Sequence, residues 1–259
     1  MSPLVGIVAG YPVHVFAIML NLGVAAGIAL TVWLGTRRGV SATDLLDSAV
    51  WVIPAGLLGA RLLYAVTHWP EYAPNPAAVL AFWEGGLALP GGQAAGLVAA
   101  WTVLGLHRLP RGSCLDAAAP GLALGQAIGR LGCLPAGCAI GVPLAPDTML
   151  PAWPLPDSTG LVAMRFPSQV VEAGAELLLC AVLLLLWRRR LRPGKVAAAY
   201  LVGYGLLRLA AEPLRADSAM LGPLPMAVWW SAIAVAAGLL SLLAWPRRRV
   251  ARILPSPES

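Results

Sequence analysis

Five of the chain's 18 Lys and Arg residues, Arg61, Arg130, Arg165, Arg208 and Arg215, lie inside apolar segments or at the ends of them that otherwise lack positive charge. Burying a guanidinium in lipid is costly unless it is paired, so an intramembrane arginine is a functional candidate by default. Guanidinium groups bind phosphate through bidentate, charge-assisted hydrogen bonds. At headgroup depth the matching ligand is an anionic, phosphate-bearing lipid. The same groups would stabilise negative charge growing on a phosphate leaving group.

Spacing strengthens the chemistry. Tyr204, Arg208 and Glu212 recur every four residues, which puts them on one helix face and lets Glu212 pair with Arg208. Arg215 is expected to extend that stripe. Gln169, Glu172 and Glu176 form a second polar stripe, and Gln126 precedes Arg130 by one turn. Polar stripes on apolar helices face a bundle interior or a wet cavity, because facing lipid leaves them unpaired. The competing reading is a bundle-stabilising Arg–Glu pair, with Arg61 and Arg165 snorkelling to the headgroups. Five arginines together weigh against it.

The elements that must position these residues follow from composition. Of 259 residues, 59% are hydrophobic and 12% charged, more apolar surface than a soluble domain can hide. The expected fold class is all-α, a single polytopic membrane domain over 1–245 with seven spans of roughly 20 residues each. They are placed near 12–34, 46–67, 86–106, 115–134, 168–187, 196–212 and 225–245. Residues 246–259 read as a basic, disordered tail. The segment 135–167 is a Pro-rich excursion expected to lie across the membrane surface. The first span lacks a basic segment before it and is too long for a signal core, so no cleaved signal peptide is expected.

The loops orient the bundle. Arg37 and Arg38, Arg108 and Arg111, Arg188 to Lys195, and Arg247 to Arg252 follow alternate spans, whereas 1–11 and 68–84 carry no Lys or Arg. The positive-inside rule then predicts an outer N-terminus and a cytoplasmic C-terminus. The net charge of +6 is this topological signal and gives no argument for nucleic acid. All five misplaced arginines fall at similar depth near the outer leaflet. Five charges from separate segments at one level could build a single site.

Residues 129–141 read Gly-Arg-Leu-Gly-Cys-Leu-Pro-Ala-Gly-Cys-Ala-Ile-Gly, which resembles the prolipoprotein diacylglyceryl transferase signature G-R-x-G-N-F-x-N-x-E-x-x-G. WEGGLALPGGQAAG at 83–96, RFPSQVVEA at 165–173 and YGLLRLAAEPLR at 204–215 resemble three further family blocks in the same order. GARLLY at 59–64 and HVFAIMLNLG at 14–23 agree more weakly. The resemblance implies a multi-pass protein of the bacterial plasma (inner) membrane. It implies transfer of diacylglyceryl from phosphatidylglycerol to the lipobox cysteine of a preprotein signal peptide, with release of glycerol phosphate. Thioether transfer of this kind needs no metal or organic cofactor. Carried over, Arg130 and Arg208 match essential arginines and Glu212 their partner carboxylate. Arg61, Gln169, Glu172, Tyr204, Arg215, Gly91, Gly92 and Gly141 match lipid-binding or supporting positions.

The departures fall on acid–base positions. The family's His in F-H-G-G is Pro90, and its signature Asn, Asn and Glu are Cys133, Ala136 and Cys138; Phe16 replaces a Tyr. Clustered arginines would help to ionise an incoming thiol, and His14 is the remaining outer-side histidine within a span. Cys133 and Cys138 fit either a loop-stapling disulfide or two free thiols, and are poor zinc evidence. Cys114 and Cys180 read as core. Pro90 among Gly85, Gly86, Gly91 and Gly92 predicts an irregular start to the third span, lining the site's entrance. Two rivals share the pattern: a paralogue with another acceptor, and a non-catalytic phospholipid binder. Pro90 favours them; the Arg130, Arg208 and Glu212 set opposes an inert scaffold. A transporter would need polar residues through the inner half of the bundle, where few occur.

Overall fold

The computed structural model describes residues 4–8, 11–81, 86–145, 147–157 and 159–244. Among the described residues eight α-helices run α1 Val15–Thr36, α2 Ala42–Thr67, α3 Trp69–Tyr72, α4 Leu89–Leu106, α5 Arg111–Ala136, α6 Ser168–Arg188, α7 Lys195–Ala211 and α8 Met226–Ala244. Three antiparallel hairpins accompany them: β1 Leu4–Val8 with β2 Tyr11–His14, β3 Trp153–Pro156 with β4 Val162–Arg165, and β5 Met220–Leu221 with β6 Leu224–Pro225. The fold is mostly helical rather than purely so. Helices α1, α2, α4, α6 and α8 are long and apolar enough to cross a membrane. The other two long helices depart for visible reasons: α5 carries Asp116, Gln126 and Arg130, and α7 has 17 residues.

The expected spans shift at their ends. The first begins at Val15 because Tyr11–His14 pairs as a strand with Leu4–Val8; Pro12 suits a strand at a sheet edge better than a helix interior. The third begins at Leu89, with Pro90 in its first turn, where the missing N–H costs nothing. Residues 86–88 before it are irregular, as expected. Trp83, Glu84 and Gly85 of the third-span motif, and the tail 246–259, lie outside the described residues.

Helix α5 is the hub, packed on α1, α6 and α7, while α2 pairs with α4 and α7 with α8. Between helices in lipid there is little hydrophobic driving force, so close backbone approach between small residues matters most. Gly23 and Gly27 of α1 cross Gly121 and Gly125 of α5, two facing Gly-x-x-x-Gly pairs. A Cβ at Gly23 would lie 2.6 Å from the Gly125 carbonyl oxygen, and one at Gly27 2.8 Å from that of Gly121. Gly59 against Gly91, and Gly56 against Gly92, do the same for α2 and α4. Outward faces carry exposed Val50, Val66, Leu106, Leu178 and Leu240, as lipid contact requires.

Two features set the heights of the helices. Buried Asp116 of α5 accepts hydrogen bonds from the backbone N–H groups of Gly194 (2.8 Å) and Ala197 (2.9 Å), satisfying orphan donors at the start of α7. Three arginines lie over indole rings at the ends rich in positive charge: Arg37 over Trp33, Arg38 over Trp187 and Arg111 over Trp101. Arg–Trp pairs suit a membrane–water boundary. The three hairpins, α3 and a 3-10 turn over Pro76–Leu80 all fall in the alternate connections. The turn-rich end and the Arg–Trp end are thus opposite ends of one bundle.

Candidate active site

At the turn-rich end the chain gathers its polar side chains from α5, α6 and α7. Arg130, late in α5, meets two carboxylates one turn apart on α6: Nη2 lies 3.0 Å from Glu172 Oε2 and Nε 3.5 Å from Glu176 Oε1. Arg215 reaches Glu172 from the other side, with Nη1 3.1 Å from Oε1, and also holds Asp217 at 2.8 Å. Arg208 and Glu212, on one face of α7 and the residue after it, approach to 2.5 Å. Their contact is close but not aligned as a hydrogen bond, leaving Arg208 Nη1 and both Glu212 oxygens without one among the described residues. Tyr204 feels the charges of Arg130, Glu176, Arg208 and Glu172, and its ring stacks on Tyr200. Tyr200 in turn donates to Gln126 of α5 at 3.0 Å.

A cavity of about 180 Å³ opens between α6 and α7 against this network. Its polar lining includes Glu172, Glu176, Tyr204 and Arg208, and its apolar wall includes Phe166 and Leu214. A lining that mixes charged groups with apolar side chains makes an amphiphilic pocket.

A backbone ladder anchors the site from outside. Gly141 pairs with Arg215 and Pro143 with Arg165, so residues 140–144 run between the segments bearing those two arginines. Val142 N–H donates to Leu214 O and Phe166 N–H to Val142 O, each at 3.0 Å. A side chain at Gly141 would collide with the Phe166 carbonyl, which accounts for glycine there. Gln169 is fully buried and donates to Cys138 O (3.0 Å), while Ser168 donates to Ala139 O (2.6 Å). Arg165 pairs with Asp157 at 3.2 Å across the β3–β4 turn. The Asp157 carboxyl lies below the usual carboxylate range, chiefly through the Thr159 hydroxyl, with the Thr159 and Leu161 N–H groups and Arg165 adding to it.

Cys133 and Cys138 are disulfide-bonded, which settles the alternatives left open by their spacing. The bond ties the last turn of α5, three residues beyond Arg130, to the ladder segment, and Gly137 ends the helix at φ 65°. Two covalently joined residues thus stand where the family signature has polar ones. Removing the bond with Cys133→Ser plus Cys138→Ser should lower stability by about 2 kcal/mol on loop-closure entropy. Thermal unfolding in detergent would read this, and an unchanged midpoint would refute a stapling role. Cys114 and Cys180 are buried, as expected, and the Cys180 thiol donates to Pro120 O.

Several expected residues stand elsewhere. Arg215 does not extend the α7 stripe. Pro213 cannot continue the helix, a 3-10 turn takes over at Glu212–Leu214, and Arg215 is extended at φ −104°, ψ 142°. Arg61, 1% exposed, donates to the carbonyls of Ala78, Val79 and Gly86 and lies 5.2 Å from the Tyr72 ring. It organises the connection between α2 and α4 and does not line the cavity. Gly91 and Gly92 pack against α2, and His14 ends β2 at the start of α1. A Cβ at Gly132, two residues beyond Arg130, would meet Met19 and Phe16 of α1. Asp116, Asp157 and Asp217 were not picked out from the sequence. Asp217, two residues from Arg215, carried a local signal; the partners of Asp116 are distant in sequence and left none.

Fold and site define a class: a multi-pass helical membrane protein with a buried guanidinium–carboxylate network beside an amphiphilic cavity. The model of the family described as prolipoprotein diacylglyceryl transferase matches residues 3–244. The phosphatidylglycerol–prolipoprotein diacylglyceryl transferase of Synechococcus elongatus is 36% identical over 241 residues, 88% of this chain and 82% of its own. Those of Gloeobacter violaceus (34% over 256 residues, 97% and 95%) and Symbiobacterium thermophilum (36% over 237, 88% and 88%) are similar over comparable lengths. The chain belongs to the prolipoprotein diacylglyceryl transferase family, a family of transferases.

Proposed function

We propose that this protein transfers the diacylglyceryl group of phosphatidylglycerol to the lipobox cysteine of a preprotein signal peptide, releasing glycerol phosphate. It does so as a seven-span plasma-membrane protein with its N-terminus outside and its C-terminus cytoplasmic. The observation that carries the reading is Arg208 on the cavity wall, with Arg130 paired to two wall carboxylates and apolar side chains in the same lining.

Arg130 and Arg208 hold the lipid phosphate, and Glu212 orients Arg208. A guanidinium has five N–H donors, so a carboxylate partner leaves further donors for a phosphate oxygen. The thiolate displaces glycerol phosphate at the glycerol C3 carbon. The arginines stabilise the charge that collects on the departing phosphate. Gln169, Glu172, Tyr204, Arg215 and Gly141 hold these groups in place. Arg61, Gly91 and Gly92 support the neighbouring α2–α4 wall. Pro90 favours one alternative, a paralogue reaction with a different acceptor.

Purified protein given phosphatidylglycerol and a lipobox peptide should yield the thioether peptide and glycerol phosphate in equal amounts. No product, under conditions where a His-containing relative turns over, would refute the activity. Glycerol phosphate release without thioether peptide would point to the other acceptor.

A further inference from the structure

We propose that Glu176 takes the proton from the attacking thiol, the task that falls to no side chain at position 90 in this protein. The inference rests on the transferase reading above. Pro90 carries no titratable group and sits in the first turn of α4. A resident base for the thiol has to come from elsewhere, within reach of the cavity. Two carboxylates line that cavity, Glu172 and Glu176. Both oxygens of Glu172 are engaged, Oε1 by Arg215 and Oε2 by Arg130 and Arg215. Glu176 differs. Its Oε1 faces Arg130 Nε at 3.5 Å, and its buried Oε2 has no hydrogen-bond partner among the described residues, in a side chain only 4% exposed. Glu212 also has unmatched oxygens, but it is held against Arg208 and does not line the cavity.

The groups facing Glu176 suit the role. They are Arg130 from α5, which it pairs with, Glu172 from its own helix and Tyr204 and Arg208 from α7, which line the same cavity, and Tyr200, stacked on Tyr204. Two guanidinium groups stabilise the thiolate that forms when the proton leaves. In the step, the S–H proton passes to Glu176 Oε2 and the sulfur forms a bond to glycerol C3. The C3–O bond breaks, and its electron pair leaves on the phosphate oxygen of glycerol phosphate. Glu176 then returns the proton to that phosphate, so the carboxylate is regenerated and no further reactant is needed.

The test is Glu176→Gln in the full-length protein, with phosphatidylglycerol vesicles and a lipobox peptide, followed by product mass across pH. Near pH 7, kcat should fall by about 10²-fold or more, the usual range for a positioned base, with KM for phosphatidylglycerol unchanged. The deficit should shrink as pH rises through the thiol's own pKa of ~8.5, because solution then supplies the thiolate. Glu176→Asp, which keeps a carboxylate, should retain part of the activity, and its thermal midpoint guards against a folding defect. A wild-type rate for Glu176→Gln near pH 7, or a deficit of constant size across pH, would overturn the role while leaving the transferase reading standing. Absence of thioether product from the wild type would overturn both.

Discussion

Arg208→Ala is expected to reduce thioether formation by about 10²–10³-fold, the loss typical of removing one donor aimed at developing charge. Arg208 lines the cavity directly, and its partner Glu212 is the next residue on the same helix face. Removing it takes away the proposed phosphate ligand and the partner of buried Glu212, while α7 still packs on α5 and α8. The fall should appear in turnover, together with a lower thermal midpoint, because the buried Glu212 carboxylate loses its guanidinium. Arg208→Lys should recover only part of it, since a point ammonium cannot make the bidentate contact. Product assays with phosphatidylglycerol and lipobox peptide decide the matter, and a wild-type rate for Arg208→Ala would refute the phosphate-clamp role.

Arg130→Ala should abolish product and destabilise the protein more than Arg208→Ala does, because Arg130 pairs with two buried carboxylates and Arg208 with one. Arg130 stands between Glu172 and Glu176, both buried on α6. Its loss leaves Arg215 to hold Glu172 and leaves Glu176 without its guanidinium. Breaking a buried pair by removing one partner costs about 3–5 kcal/mol. The midpoint in detergent should drop accordingly. Adding Glu176→Gln to Arg130→Ala should restore part of the midpoint, because the stranded carboxylate is gone, without restoring turnover. An unchanged midpoint in the single variant would refute the structural half of the argument.

The two polar stripes were legible because helix period alone aligns Tyr204, Arg208 and Glu212, and likewise Gln169, Glu172 and Glu176. That Glu212 pairs with Arg208 followed from the four-residue spacing. That Glu172 pairs with Arg130 and Arg215 did not, because those partners are distant in sequence. Arg215 was misplaced for a local reason: the stripe was extended through Pro213, where the helix stops. Arg61 stood out as an expensive buried charge, but not as a residue whose donors are used on the carbonyls of 78, 79 and 86. An irregular connection exposes carbonyls only once it folds.

By itself the sequence determined the membrane class, the long helical segments and the residue types of the site. Hydropathy, helical period and charge asymmetry are local properties of the chain. Tertiary structure alone decided how the five arginines divide. Glycine contacts between α1 and α5 and the Asp116 bonds to the start of α7 help set the depth and rotation of each helix. Those settings bring Arg130 and Arg215 onto one carboxylate and put Arg208 on the cavity wall beside an unmatched Glu176 oxygen. Periodicity gives the face of one helix, and only packing says which faces meet.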